Sequence, residues 1–270
     1  MDLWRKDLNS LFFTGGLSDR RECGVPLITS LKGSGILFSA NVEDDPSLRN
    51  RTEVFRDRTH AGELLADKLI KYAADYGAMI VIAIPSGGVP VGYAVAERLN
   101  VALEIILVRK ITIPWEPEAG YGSVTLDGST LLNDALVGNL GLSKSEIKEG
   151  IRKAKEGLEE RAKKFFTERK QELLQDTEDK TTILVDDGLA SGYTMLASVQ
   201  SVRKRKPRKI IVAVPTGSIN AIKLVSPHVE RLFCLNVRSG YSFAVADAYE
   251  EWRDISEEEA ADLFAKGKRG

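Results

Sequence analysis

The chain has 270 residues, 43% of them hydrophobic, with 38 basic against 39 acidic side chains and a net charge of −1. That apolar content is enough for a sizeable core and argues against global disorder. The charge balance argues against nonspecific nucleic-acid binding.

Cys23 and Cys234 lie far apart, and with only His60 and His228 beside them they make no metal-binding set. A reducing compartment is the simple expectation. The opening Met1-Asp2-Leu3-Trp4-Arg5-Lys6-Asp7 lacks a signal-peptide stretch. Nowhere do about eighteen apolar residues run together, so a cytoplasmic protein with no membrane partner is expected.

In chain order, residues 1–54 are broken into short pieces by Gly15-Gly16, Gly33-Ser34-Gly35 and Asp44-Asp45-Pro46, with a strand-like Ile36-Leu37-Phe38. They are set apart as an N-terminal segment, and residues 55–270 as the principal domain. Over residues 58–76, Ala61, Leu64, Leu65, Leu69, Tyr72 and Ala73 recur at helical spacing. Residues 79–84 form a continuous apolar run, as buried parallel strands do. Pro85-Ser86-Gly87-Gly88-Val89-Pro90 interrupts it, and residues 91–99 read as a helix. Further core strands are expected at 103–108, 183–185, 209–214 and 231–235. Alternating strands and helices predict an α/β fold: a parallel β-sheet flanked by helices, a Rossmann-like core.

Residues 111–128 contain Pro114, Pro117, Gly120 and Gly122 and read as a long structureless connection, the kind that serves as a lid. The lid is placed near 109–128. A helical insertion is expected near 143–176. Ser143 with Glu146 has capping-box spacing, and Ile147, Ile151, Ala154, Leu158, Ala162 and Phe165 form one apolar stripe amid solvated charges. Ser256 with Glu259 caps a terminal helix from Glu257.

Three turns fall beyond strand carboxyl ends, where α/β sheets bind ligands: Ser86-Gly87-Gly88, Arg109-Lys110, and Asp186-Asp187 with the following Gly188-Leu189-Ala190-Ser191-Gly192-Tyr193-Thr194. Paired carboxylates accept hydrogen bonds from sugar hydroxyls, and backbone N–H groups at a helix start cradle phosphate. The glycine turn fits neither a P-loop nor a dinucleotide fingerprint. By itself it is equally an ordinary strand–helix turn, and Arg109-Lys110 an ordinary exposed strand end. His60 and His228 read as structural.

The stretch from Ile183 through Asp186-Asp187 to Thr194 resembles the motif with which type I phosphoribosyltransferases bind 5-phosphoribosyl-1-pyrophosphate (PRPP). Phe55-Arg56-Asp57-Arg58-Thr59-His60-Ala61-Gly62, Val108-Arg109-Lys110-Ile111 and residues 249–264 are similar, more narrowly, to a bacterial and archaeal branch known only as predicted phosphoribosyltransferases. The resemblance runs from about 55 to 264. It implies that Asp186 and Asp187 hold the ribose hydroxyls, that Gly188, Leu189, Ala190, Ser191, Gly192, Tyr193 and Thr194 form the PRPP loop, and that residues 190–194 wrap the 5′-phosphate. Ser86, Gly87 and Gly88 fall where the family has its pyrophosphate loop, often with a non-proline cis peptide. Arg109 and Lys110 match the base of its flexible catalytic loop.

The implied reaction is transfer of the phosphoribosyl group to a nitrogenous base or amine, with pyrophosphate released and Mg²⁺ brought in on PRPP rather than held by protein ligands. Arg109, Lys110, Asp186 and Asp187 would carry it. Oxopurine enzymes of the family have a further Asp where this chain has Ala190, which weighs against an oxopurine acceptor. Acceptor recognition is expected from a hood drawn from residues 1–54, the helix after Ser143, or residues 236–243 with Tyr241 and Phe243. A PRPP-sensing regulator on the same fold is the alternative. Oligomeric state stays open, with a homo-oligomer compatible.

Overall fold

The computed structural model describes residues 39–166, 177–240 and 242–267. The strand-like 36–38, the end of the helical insertion and Tyr241 fall outside the described residues. The main sheet has six strands, all parallel, in the order β1-β9-β8-β7-β2-β3. They are β1 (Val42–Asp44), β2 (Met79–Ala83), β3 (Leu103–Ile105), β7 (Thr181–Val185), β8 (Lys209–Ser218) and β9 (Arg231–Arg238).

These strands are continuous apolar runs because both faces are covered. Val81, Ala83, Ile183, Val185, Ile211, Ala213, Phe233 and Leu235 point into one cluster, with Leu65, Leu69, Val91 and Val95 from α1 (Arg58–Ile70) and α2 (Gly88–Leu99). Ile82, Leu184, Val212, Val214, Leu232 and Cys234 point the other way, against Met195, Val199 and Ile222 of α5 (Tyr193–Arg203) and α6 (Ile219–Val225). The alternation follows from the two-residue period of a strand.

Beyond the sheet's carboxyl edge, the chain builds a second, three-stranded antiparallel sheet from β4 (Val108–Ile113), β5 (Glu116–Thr125) and β6 (Thr130–Leu132). The short helix α3 (Asp134–Leu140) leads to α4 (Lys144–Phe165), whose Ser143 capping box forms as expected. Ala154, Leu158 and Phe165 of its apolar stripe are buried, while Ile147, Ile151 and Ala162 pack at the core's margin. The terminal helix α7 (Glu257–Gly267) starts at the predicted cap, with Glu259 N–H donating to Ser256 Oγ at 3.0 Å.

Two expectations are corrected. Residues 111–128 are not a structureless connection: strand pairing runs from Val108 opposite Thr125 to Ile113 opposite Glu116, with bulges after Ile111 and Thr112. Glycines and prolines at those bulges disguise the alternation of buried Val108, Ile111, Ile113, Tyr121 and Val124. The single strand expected at 103–108 divides instead, with β3 ending at Ile105 and Arg109 and Lys110 lying inside β4. The main sheet also takes in β1, which precedes the boundary drawn at Phe55.

Candidate active site

β2 and β7 are neighbours, with Ala83 opposite Val185. Their carboxyl ends therefore emerge side by side, and the two turns that leave them meet. A Cβ added to Gly87 would fall on Asp187 Oδ2, and one added to Gly88 would lie 2.9 Å from Asp186 Cα. Only glycine lets this turn lie so close to the acid pair. The Pro85–Ser86 peptide is cis, as the motif resemblance implies.

The two acids crowd each other. Asp186 Oδ1 accepts the Asp187 N–H at 2.9 Å. Burial, then the charge of Asp187, pushes the Asp186 carboxyl well above the usual range. Burial raises Asp187 too, opposed by an arginine. That arginine is Arg58, at the start of α1: its Nε donates to Asp187 Oδ2 at 2.8 Å, with side chains 8% and 15% exposed. Its guanidinium stacks on Trp252 at 3.8 Å from the ring centroid and donates to the Arg253 carbonyl at 2.8 Å. The Tyr249 hydroxyl donates to the Asp187 carbonyl at 2.6 Å. The acid pair is thus fixed from its own strand, from α1 and from residues 249–253.

After the acids, the loop is tied to β8. Leu189 N–H donates to the Thr216 carbonyl at 2.9 Å, Ser218 N–H to the Leu189 carbonyl at 2.9 Å, and Ser218 Oγ to the Ala190 carbonyl at 2.7 Å. Gly192 precedes α5 at φ +84° and offers no capping side chain. Ala190 and Ser191 are exposed, and Tyr193 and Thr194 open the helix half-buried. The first-turn N–H groups of α5 therefore have no side-chain cap, the electropositive setting that suits an anion.

The basic residues divide. Arg109 Nη1 donates to the Gly157 carbonyl of α4 at 3.3 Å. Beside it, Arg161 of α4 donates from Nη2 to Ser86 Oγ at 3.0 Å. Arg109 and Asp186 both act electrostatically on Arg161, so the glycine turn, the acids and Arg109 share one neighbourhood. Lys110 lies along Gly120, in a groove of about 460 Å³ with Ser145, Glu149 and Lys153 of α4. Neither the acids nor the Ser86 turn line that groove. A larger cavity, about 690 Å³ between α1, α2 and the end of α7, is lined by Glu63, Tyr93 and Arg98 and likewise excludes the acids.

The family model described as "Phosphoribosyl transferase domain" matches residues 125–250. A Mycobacterium tuberculosis H37Rv protein named as a phosphoribosyl transferase, Rv0571c, is 30% identical over 217 residues, covering 80% of this chain and 48% of its own length. The crystal structure of TT1426 from Thermus thermophilus is 30% identical, with a TM-score of 0.64 over 79% of this chain and 98% of that one. The chain belongs to the phosphoribosyltransferase family. It spans about half the length of the curated Mycobacterium relatives it matches.

Arg58 and Arg161 are the two residues near the family's motif that sequence reading misses. Arg58 lies in the quoted Arg56-Asp57-Arg58-Thr59-His60 segment, and only its pairing across 129 positions distinguishes it. Arg161 looks like one more solvated charge on α4. His60 has a structural partner: its Nδ1 accepts the Arg56 N–H at 3.1 Å.

Proposed function

We propose that this phosphoribosyltransferase moves the 5-phosphoribosyl group of PRPP to a nitrogen of a base or amine and releases pyrophosphate. The observation that carries the reading is the contact of the Gly87 turn with Asp187 at the ends of adjacent strands. A pentose gripped there by the acids has its pyrophosphate within reach of the Gly87–Gly88 backbone. Asp186 and Asp187 accept hydrogen bonds from the ribose hydroxyls, and the backbone of residues 190–194 takes the 5′-phosphate.

The C1–oxygen bond to pyrophosphate breaks as the bond from the acceptor nitrogen to C1 forms, and C1 takes on oxocarbenium character. Negative charge then gathers on the leaving group, where Arg109 and the backbone N–H groups around Gly87 stabilise it. Lys110 joins them once the β4–β5 hairpin moves toward the acids as a lid, which excludes water. The reaction is driven by placement and charge, so it needs no protein nucleophile.

Among the described residues no three His, Cys, Asp or Glu side chains group as a metal site. With the acids given to the ribose hydroxyls and Asp187 paired with Arg58, a Mg²⁺ would be held by the oxygens of the substrate rather than by protein ligands. The ion would arrive on PRPP and supply charge neutralisation at the leaving group.

Of the expected hood, Asn236 is already committed. Its side chain accepts from Thr216 Oγ1 at 2.7 Å and donates to the carbonyls of Leu48 and Arg51. Phe243 lies under Arg238, about 6.0 Å from ring centroid to guanidinium carbon. Asn236 is therefore taken up in the fold, which leaves α4 and Phe243 among the described candidates for acceptor binding.

The test is a panel of bases and amines screened for PRPP-dependent pyrophosphate release. Release with one acceptor class supports the reading. Silence across a broad panel, together with tight PRPP binding, would instead favour a regulator that senses PRPP.

A further inference from the structure

Arg161 meets a serine hydroxyl, a carboxylate and a second guanidinium. Its side chain is 14% exposed, its Nη2 is on Ser86 Oγ, and its Nε lies 2.9 Å from Glu257 Oε1 at the start of α7. That Nε is buried and meets Glu257 as an ion pair. Arg109 adds a second guanidinium on the same side, and like charges this close oppose each other.

We propose that Arg161 binds the pyrophosphate of the substrate, turning from Glu257 to the anion, so that α4 supplies a residue to the Ser86 turn. The inference rests on the phosphoribosyl-transfer reading and adds to it a leaving-group ligand from the helical insertion. Burial, followed by the repulsion of Arg109, depresses the Arg161 pKa against the pull of Glu257 and Asp186. A desolvated cation in this state gains more from an arriving polyanion than a solvated one. An anion carrying several charges also relieves the Arg109–Arg161 repulsion by lying between them.

Glu257 is not stranded by the exchange. Lys164 Nζ lies 2.9 Å from its Oε2 and 3.3 Å from Glu258 Oε1, so a cation remains when Arg161 leaves. The guanidinium needs only to release Glu257, since its other end already touches the Ser86 turn. The competing account is a structural clamp, in which Arg161 and Glu257 merely fasten α4 to α7.

Inorganic pyrophosphate with Mg²⁺, and ribose 5-phosphate, are titrated separately into the full chain by calorimetry. Arg161→Ala should weaken pyrophosphate binding by about 10- to 100-fold, the scale of charged hydrogen bonds. It should leave ribose 5-phosphate within about twofold, because that ligand lacks the group Arg161 takes. Arg161→Lys should recover only part of the loss, since a point charge lacks the planar fork. Glu257→Gln removes the competitor and should tighten pyrophosphate.

A clamp predicts the opposite pattern: Arg161→Ala and Glu257→Gln both lower the melting temperature, and neither alters the preference between the two ligands. That pattern overturns the inference while leaving phosphoribosyl transfer intact. Failure of the unaltered protein to bind either ligand overturns the parent reading, and this one with it.

Discussion

The acid pair and the β4–β5 hairpin are built by different means. Asp186 and Asp187 follow a fully buried central strand and are braced by Arg58, Tyr249 and the β8-anchored loop. The hairpin lies outside the main sheet. The turn between β5 and β6 is held to the end of α5 by Lys204, whose Nζ lies 3.2 Å from Asp127 and which also donates to Ser129 Oγ. The acid pair is therefore braced from several sides at the end of a central strand, whereas Arg109 and Lys110 stand on a separate antiparallel sheet. Such a division suits a reaction in which the sugar must be held still while charge departs.

The sharpest way to break this comparison is to separate the two acids. Asp187→Ala leaves Arg58 buried without its carboxylate, so the empty protein should lose about 3 kcal/mol and PRPP binding should fall below detection. Asp186→Asn removes a carboxyl that burial and Asp187 disfavour, so it should weaken PRPP while raising the melting temperature by about 2–4 °C. Thermal melts beside calorimetry read both. Equal destabilisation by the two variants would mean that the pair is not divided into a braced and a crowded member.

At the hairpin, Arg109→Ala and Lys110→Ala should each lower kcat by about 10- to 100-fold while moving PRPP affinity by less than about threefold. An equal loss in both would place these residues in ground-state binding and erase the contrast between the two ends.

pH sharpens the same contrast. Both acids are raised in the empty protein, and sugar hydroxyls favour their ionised forms. PRPP affinity should therefore grow as pH rises through the raised values and weaken on acidification below them. Stability of the empty protein runs the other way. The folded acids bind protons more tightly than the unfolded chain, so their contribution falls as pH rises from the ordinary carboxylate range through the raised values. An affinity flat across this window would mean that the hydroxyls do not meet the acids.

The smallest effect belongs to the anchor. Lys204 is 58% exposed, so Lys204→Ala should change stability by under about 1 kcal/mol. Faster amide exchange confined to β5 and β6 would show that this contact restrains the hairpin, while unchanged exchange would place the restraint in the packing of α4 and α5.

Much of the molecule's inner structure is legible in its residues. The strands around Ile82, Leu184 and Val212 read as unbroken apolar runs because each is buried on both faces. The caps at Ser143 and Ser256 are local chemistry, and so is the glycine-and-acid composition of the turns. Other features depend on partners distant in sequence. β1 is Val42-Glu43-Asp44, too short and charged to stand out, and it is a strand only because β9 lies beside it. The hairpin hides behind bulges and glycines, since turn-forming residues dominate its pattern. Arg58 and Arg161 carry no local mark, because what distinguishes them is a carboxylate or hydroxyl brought near by topology.

Calorimetric titration of Mg²⁺-PRPP into the unaltered protein and into the Asp186→Asn, Asp187→Asn double variant tests the central claim most directly. Saturable one-to-one binding that weakens by at least about 100-fold in the double variant is the predicted result, given two lost charge-assisted hydrogen bonds. Undiminished binding in a folded double variant would contradict it, because the pentose would then be held somewhere other than between the acids and the Gly87 turn.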